Sequence, residues 1–505
     1  MNILVHLTDI ASECTDVQQL SMVVDEVNKG NHVFILNCDS TIGMCVRNPH
    51  KNKAYCSVCK NMRKFHTHKL APKGVEVHQM SEFTKSIDRK ALPKLHYDNA
   101  EQLRSLTYKG VDIGFGVLST YISNTRNLNP KIDSKSRLYF DSLIEVQQVT
   151  IEVLEMLQQK YNFQLVIFSN GRGVQTKPFL NFCERKQIEY WCVENLHRSS
   201  GVNYIDNFHN SIPHNITTQC KRAIACWESA PETSAEKETI ARNFYENRRN
   251  AKPAGDTVYI ANQQAGKMPE DWNTSVENIV IFNSSEDEFC AVSHEFDKEA
   301  VFKSQIEGII EIVEHYRNDS NKMFTLRVHP NLKDIQYKYH TDLYKLQYPN
   351  LRVIPGSSSV STYSLIDAAD KVIVFGSTTG IESVYWGKPV ICLAGAYYRD
   401  FDVVYKPNNI DELWMLIDQD HLKCKYNEKV LAYGYYIMSN NHEKCKNFNI
   451  DFYHRKFLGF HIYGFKEAKI LGSNFLYALI VKLLETITKR AKAFDYFKEL
   501  PLEEA

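Results

Sequence analysis

Residues 371–393 read KVIVFGSTTGIESVYWGKPVICL. Val372–Phe375 and Val390–Leu393 are continuous apolar runs, the pattern of parallel strands buried on both faces. Between them, Gly376-Ser377-Thr378-Thr379-Gly380 supplies small residues and backbone N–H groups where a short helix should begin. The stretch therefore predicts strand, tight turn, short helix, turn, strand. A helix start collects unpaired amides and the positive end of the helix dipole, so Ser377, Thr378 and Thr379 become candidates for holding an anion. Glu382, one turn into the helix, is placed to accept hydrogen bonds from ribose hydroxyls. Phosphate and sugar hydroxyls taken together suggest a nucleotide. The plainer alternative is an ordinary βαβ unit with a glycine-containing turn.

Working outward, Phe282-Asn283-Ser284-Ser285-Glu286-Asp287-Glu288-Phe289 follows the apolar run Asn278–Phe282, and Arg327-Val328-His329-Pro330-Asn331 follows Phe324–Val328. Three polar motifs at the ends of three strands is the arrangement of an α/β ligand crevice. Pro330 ends its strand and fixes a turn, leaving His329 at the strand mouth to meet a phosphate oxygen. Arg327 is read as a support from the neighbouring face or as an edge-strand charge. Ser284 and Ser285 are read as phosphate contacts, or as a helix cap followed by acidic first-turn residues. Pro355-Gly356-Ser357-Ser358-Ser359, after Leu351–Ile354, places Ser357 and Ser358 at the same edge, or forms only a loop and cap.

The chain has 505 residues, long enough for two domains, with Lys+Arg and Asp+Glu both at 60. That balance gives no reason to expect a nucleic-acid partner. Apolar residues at 43% argue against disorder. Met1–Leu7 reads as a first strand and lacks the features of a signal peptide. No apolar run reaches the length of a membrane-spanning helix. With thirteen cysteines and no export signal, reduced thiols or metal ligands are expected rather than disulfides.

The alternation of strands and helices predicts two α/β domains. Expected strands in the first half are Asn2–Leu7, His32–Cys38, Gly74–Met80, Leu165–Ser169 and Tyr190–Val193, with a helix over Asp141–Tyr161. Asn195–Thr217 reads as irregular loop and Gln219–Asn250 as a charged helical stretch. Lys252-Pro253-Ala254-Gly255-Asp256 is the expected linker. A second series begins at Thr257–Ala261, with a helix over Val301–Arg317. The domains expected are 1–251, 252–405 and a helical region 406–505.

Four further features carry chemistry. Cys38, Cys45, Cys56 and Cys59 have C-x6-C-x10-C-x2-C spacing, expected to hold one structural zinc as a loop staple, with His50, His66 and His68 as substitutes. Free thiols or a Cys56–Cys59 redox pair are the alternatives. Asn170-Gly171-Arg172-Gly173 ends a strand of the first half, so Asn170 and Arg172 are candidates for a sugar or phosphate. Asp112 and Glu194 are candidate general bases, against the plain reading of each as a surface carboxylate. Lys444–Tyr463 and Phe475–Lys492 mix basic and apolar residues, read as a packing helix or as a membrane-surface contact.

FNSSEDEF, RVHPN, the run from Pro355 to Ile391 and the four-cysteine segment together resemble bacterial capsule and lipopolysaccharide biosynthesis glycosyltransferases of the GT-B type. The likeness is to Kdo-transferase-like and polysialyltransferase-like enzymes with a His-Pro turn. It is strongest from Asn278 to Gly395. The resemblance implies two Rossmann-like domains facing a cleft, the C-terminal one binding a nucleotide-sugar donor and the N-terminal one an oligosaccharide or lipid-linked acceptor. His329 would contact the donor phosphate, with Ser377, Thr378 and Glu382 lining the nucleotide pocket. No clear Asp-x-Asp metal motif stands in a suitable loop, which fits a metal-independent GT-B reaction, so no catalytic cofactor is expected. The expected place is the cytoplasm, at the inner face of the membrane. A nucleotide-sugar 2-epimerase and a non-catalytic sugar-nucleotide or polysaccharide binding protein are the alternatives.

Overall fold

The computed structural model describes residues 1–461 apart from 8–14, 47, 50–55, 57–58, 61–62, 65–66, 69–70, 197–203, 256–257, 299, 333–334, 440–442, 445–446, 448–449, 452–455 and 458–459. The chain forms two units: Met1–Pro213 with the segment from His442, and His214–Asn441.

The first unit is built on β1 (Asn2–Leu7), β2 (His32–Asn37), β3 (Glu76–Gln79), β4 (Leu165–Ser169), β5 (Glu189–Leu196) and β6 (Tyr204–His209). The sheet order is β3-β2-β1-β4-β5-β6, closed at one edge by the short strand Glu443–Lys444. β1 through β5 pair in parallel, while β6 returns antiparallel to β5. The central strands are apolar on both faces, and Ile3, Val5, Leu20, Val23, Ile35, Leu165 and Ile167 form one buried cluster between the sheet and α1 (Thr15–Asn28). Two more helices, α2 (Gly114–Thr125) and α3 (Ser134–Tyr161), precede α4 (Lys177–Lys186). α3 begins about two turns earlier than its apolar spacing predicts. Asp133 caps it, its carboxylate accepting from the Lys135 and Ser136 amides.

The second unit carries β7 (Glu277–Phe282), β8 (Lys322–Arg327), β9 (Leu351–Ile354), β10 (Lys371–Val374) and β11 (Val390–Cys392), all parallel, in the order β9-β8-β7-β10-β11. Among its helices are α5 (Ile216–Glu228), α6 (Ser234–Arg249), α7 (Gln305–His315), α8 (Thr362–Ala368), α9 (Thr379–Tyr385) and α10 (Lys429–Met438). Both units thus have the doubly wound order 3-2-1-4-5, in which the first and fourth strands are neighbours and their loops diverge to open a crevice. The expectation of two Rossmann-like α/β units is met in each unit taken by itself.

Several boundaries differ from expectation. The division falls at Pro213, not at 251, and the segment expected as a linker lies inside the second unit, where Ala254 is fully buried. The reason is α6: its charged sequence hides an apolar face of Ala241, Phe244 and Tyr245. That face packs on α10, where Gly434 permits the approach, since a Cβ there would stand 2.5 Å from the Ala241 carbonyl. Tyr245 also donates to the Val430 carbonyl at 2.6 Å. Burying Phe244 and Tyr245 stabilises this packing by about 2 kcal/mol each. Residues 406–441 therefore belong to the second unit rather than to a separate tail. Beyond them the described residues form short strands, with Glu443–Lys444 joining β6. The amphipathic stretch from Phe475 lies outside the described residues. Among the described residues no helix is long and apolar enough to cross a membrane. The loop expected over Asn195–Thr217 contains β6, and Val258–Ile260 carries no strand.

Candidate functional site

In the second unit the ends of β7, β8 and β10 converge on a recess of about 470 Å³, counting its open mouth. Asn283 and Phe282 come from the end of β7, Arg327, His329 and Pro330 from β8, and Thr379 and Glu382 from α9 after β10. Arg248, at the end of α6, and Tyr259 complete the wall together with Thr362 and Tyr363 of α8.

His329 is fixed at three points. Its backbone N–H donates to Asn283 Oδ1 at 2.9 Å, and its ring stands edge-on to Tyr259 with centroids 5.2 Å apart. Its Nδ1 lies 3.2 Å from the Asn331 amide, which donates to it across the Pro330–Leu332 turn. Burial lowers the His329 pKa to about 4, and the Arg248 and Arg327 guanidiniums push in the same direction. The imidazole is therefore neutral at physiological pH. Because Nδ1 accepts a hydrogen bond, the single proton resides on Nε2.

Arg327 is 1% exposed. Its Nη2 donates to the Ser358 carbonyl at 3.2 Å and Nη1 donates to the Pro355 carbonyl. It thereby ties the Pro355–Ser358 loop to the end of β8. Burial pushes its pKa down to about 10, so it remains a cation.

Arg248 and Glu382 form a buried ion pair, Nε to Oε1 at 3.0 Å, with side chains 11% and 4% exposed. The Tyr363 hydroxyl donates to the other carboxylate oxygen. Glu382 was expected to await a ribose. It is instead the counter-ion of Arg248, with each oxygen already accepting one hydrogen bond.

The sequence motifs divide on inspection. His329, Arg327, Pro330, Thr379 and Glu382 are brought together on the recess wall. Ser284, Ser285, Ser357, Ser358, Ser377 and Thr378 are not among its lining residues. Ser284 Oγ donates to the Phe375 carbonyl and accepts from Gln305 Nε2, each at 2.8 Å, knitting β7 to β10 and α7. Ser285 stands at a helix start without a side-chain cap. Ser358 Oγ accepts from the Val360 amide, while Ser357 is exposed. Ser377 and Thr379 hydrogen-bond each other, and the Tyr398 hydroxyl donates to the Ser377 carbonyl. Gly376 has φ +81°, and a Cβ there would stand 2.4 Å from the Gly395 carbonyl, so only glycine fits this turn. Arg248 was missed from sequence because it lies in a stretch that reads as solvated helix. Its one signal is the neighbouring aromatic pair Phe244-Tyr245.

One buried carboxyl behaves differently. Glu286 accepts from the Gln305 amide at 2.9 Å, and burial, with Asp287 beside it, raises its pKa to about 7.

In the first unit the carboxyl edge carries a separate set. Asn170, with φ +58°, donates from Nδ2 to Glu194 Oε2 at 2.8 Å. Arg172 Nε donates to Ser119 Oγ of α2 at 2.8 Å. Lys177 is buried at the start of α4. Desolvation lowers its pKa against the opposing pull of Asp112 and Glu184. Asn170 and Glu194 thus meet directly, whereas Asp112 belongs to the charge cluster of Lys177 and Arg172. Cys38, Cys45, Cys56 and Cys59 all line one pocket. Among the described residues, no group of three or more His, Cys, Asp or Glu is gathered to hold a metal ion.

Residues 259–421 match the family described as capsule polysaccharide biosynthesis protein. No curated protein matches the chain. Among solved structures, a KpsC beta Kdo 2,4 transferase from Thermosulfurimonas dismutans is 15% identical over 54% of this chain and 78% of that one, with a TM-score of 0.33. The UDP-GlcNAc 2-epimerase of Neisseria meningitidis, bound to UDP-GlcNAc, is 12% identical over 86% of this chain and 98% of that one, with a TM-score of 0.25. Neither is near enough to bring its substrate to this chain. The segment that supplies His329, Arg327 and Glu382 lies within the stretch that matches the capsule polysaccharide biosynthesis family.

Proposed function

We propose that the protein is a glycosyltransferase that moves a sugar from a nucleotide-activated donor to a growing surface polysaccharide or a lipid-linked acceptor. The observation that carries this reading is the neutral His329 on the wall of a recess that also holds two guanidiniums and one carboxylate. Such a wall is net cationic and suits a phosphate. A neutral Nε2–H gives a fixed hydrogen-bond donor where negative charge grows on the departing phosphate oxygen. In a partly desolvated recess that donation is stronger than in water. Arg248 supplies long-range attraction, while Glu382 and Tyr363 hold it in place.

Charge stabilisation is assigned to these side chains, and the transfer is proposed to be metal-independent. Asn170 and Arg172 are proposed to meet the acceptor. Glu194, oriented by Asn170, is proposed as the base that takes the acceptor hydroxyl proton, with Asp112 as the second candidate.

The test has two stages. Thermal shift with CMP, CDP, UDP and GDP selects the nucleotide, and the matching sugar donors are then incubated with and without saccharide acceptors. Acceptor-dependent release of nucleotide supports transfer. Conversion of free donor to its 2-epimer, or binding without turnover, replaces this reading with one of the two alternatives.

A further inference from the structure

We propose that Cys38, Cys45, Cys56 and Cys59 bind one zinc ion that clamps the carboxyl edge of the first unit, with Arg63 as the partner of the metal-bound sulfurs. The four cysteines line a single pocket together with Arg63 and Gln175, about 450 Å³ counting its open mouth. Cys38 directly follows β2, so the pocket stands at the end of the sheet where ligand loops lie.

Two sulfurs already serve as hydrogen-bond acceptors. Asn48 Nδ2 donates to Cys56 Sγ at 3.1 Å, and Arg63 Nη2 approaches Cys59 Sγ at 3.6 Å. Zinc-bound sulfurs accept hydrogen bonds of this kind from outer partners. Arg63 is 1% exposed, and its Nη1 donates to the Cys38 carbonyl. A zinc held by four thiolates carries two net negative charges, and a buried guanidinium beside it offsets part of that charge. Outer partners of this kind orient the ligands of a metal site.

The pocket also reaches the acceptor-side loop. Gln175 lines it, and a Cβ on Gly173 would stand 2.6 Å from Val46. Val46, next to Cys45, therefore stands close to the turn that carries Asn170 and Arg172. The sulfurs line the wall without being gathered for an ion. Binding should then draw the four sulfurs together, coupling the metal to the local fold.

The experiment uses the full chain purified under reducing conditions without added metal. Elemental analysis should find about one zinc per chain, the stoichiometry of a four-thiolate site. Replacing zinc with cobalt should give sulfur-to-metal charge-transfer absorption. Chelation should expose segment 38–63 to protease and release four titratable thiols. Arg63→Gln should weaken zinc binding about 10-fold, the scale of losing a partner to a ligand. Cys59→Ser should abolish the cobalt signal; if it fails to fold, wild-type chelation carries the test alone. A folded, metal-free chain whose four thiols titrate without chelator, or a Cys56–Cys59 disulfide found by mass spectrometry in protein kept reduced, would overturn the proposal. Neither result depends on whether the second unit transfers sugar.

Discussion

The two sheets share one strand order and differ in what they place at the same edge. In the second unit, three strand ends and α6 deliver His329, Arg327, Glu382 and Arg248 to one recess. In the first unit, the equivalent edge carries the Asn170–Glu194 pair, the Arg172–Ser119 bond and a pocket walled by sulfur. Strand order fixes where loops emerge, and so where a ligand can sit. Which ligand it is follows from the loops: buried cations and a neutral imidazole suit a phosphate, while carboxylate, amide and hydroxyl groups suit sugar hydroxyls.

The largest expected effect tests whether the second unit depends on its buried ion pair. Glu382→Ala leaves the Arg248 guanidinium buried without its carboxylate, a change that costs about 3–5 kcal/mol. Chemical denaturation should show that loss, and nucleotide affinity should fall with it. Glu194→Ala, at the comparable edge of the first unit, should move stability by about 0.5 kcal/mol or less. Equal losses would erase the contrast between the edges.

Next in size is His329→Ala, expected to slow transfer about 100-fold, or about 2.7 kcal/mol, the effect of removing one donor to a developing oxyanion. Melting temperature should hardly change. NMR titration of His329 should find it neutral down to about pH 4, because burial and two guanidiniums disfavour its charged form. A midpoint near the ordinary histidine value would show an open, solvated site.

A smaller effect concerns Glu286. Its pKa is raised from 4.5 to about 7, so the fold favours the protonated carboxyl. The stability this contributes is fully present below about pH 4.5 and is lost as pH rises through 7. The denaturation midpoint of the second unit should therefore be higher at pH 5 than at pH 8. Glu286→Gln should flatten that slope, and a wild-type midpoint that rises with pH contradicts the assignment.

The smallest is Glu194→Gln, which still offers an oxygen to Asn170. Stability should stay within about 0.5 kcal/mol, while transfer should fall if this carboxylate is the base. Unchanged transfer moves that role to Asp112.

The parts legible in the sequence are those whose signal is local. β7, β8 and β10 announce themselves as apolar runs, and His329 is marked by the proline beside it. What was illegible depends on distant partners. Nothing near Glu382 reveals Arg248, which lies far upstream in a charged helix. Ser284 resembles a phosphate ligand until Gln305 and Phe375 are seen to occupy its hydroxyl. β6 carries Asp206 and Asn207 among its residues, so its sequence reads as loop, yet it forms six residue pairs with β5.

The chain leaves the first unit at Pro213 and re-enters it at His442, so the second unit is written as an insertion within the first. That has a consequence during synthesis on the ribosome. Every strand of the second sheet is contiguous, and the unit can close as soon as α10 has emerged. The first sheet must wait with β6 as an open edge until Glu443–Lys444 is made. An unpaired edge strand is a template for pairing with a neighbouring chain. Nascent chains stalled within the insertion should therefore be the species most prone to co-aggregate, and most in need of a chaperone at β6.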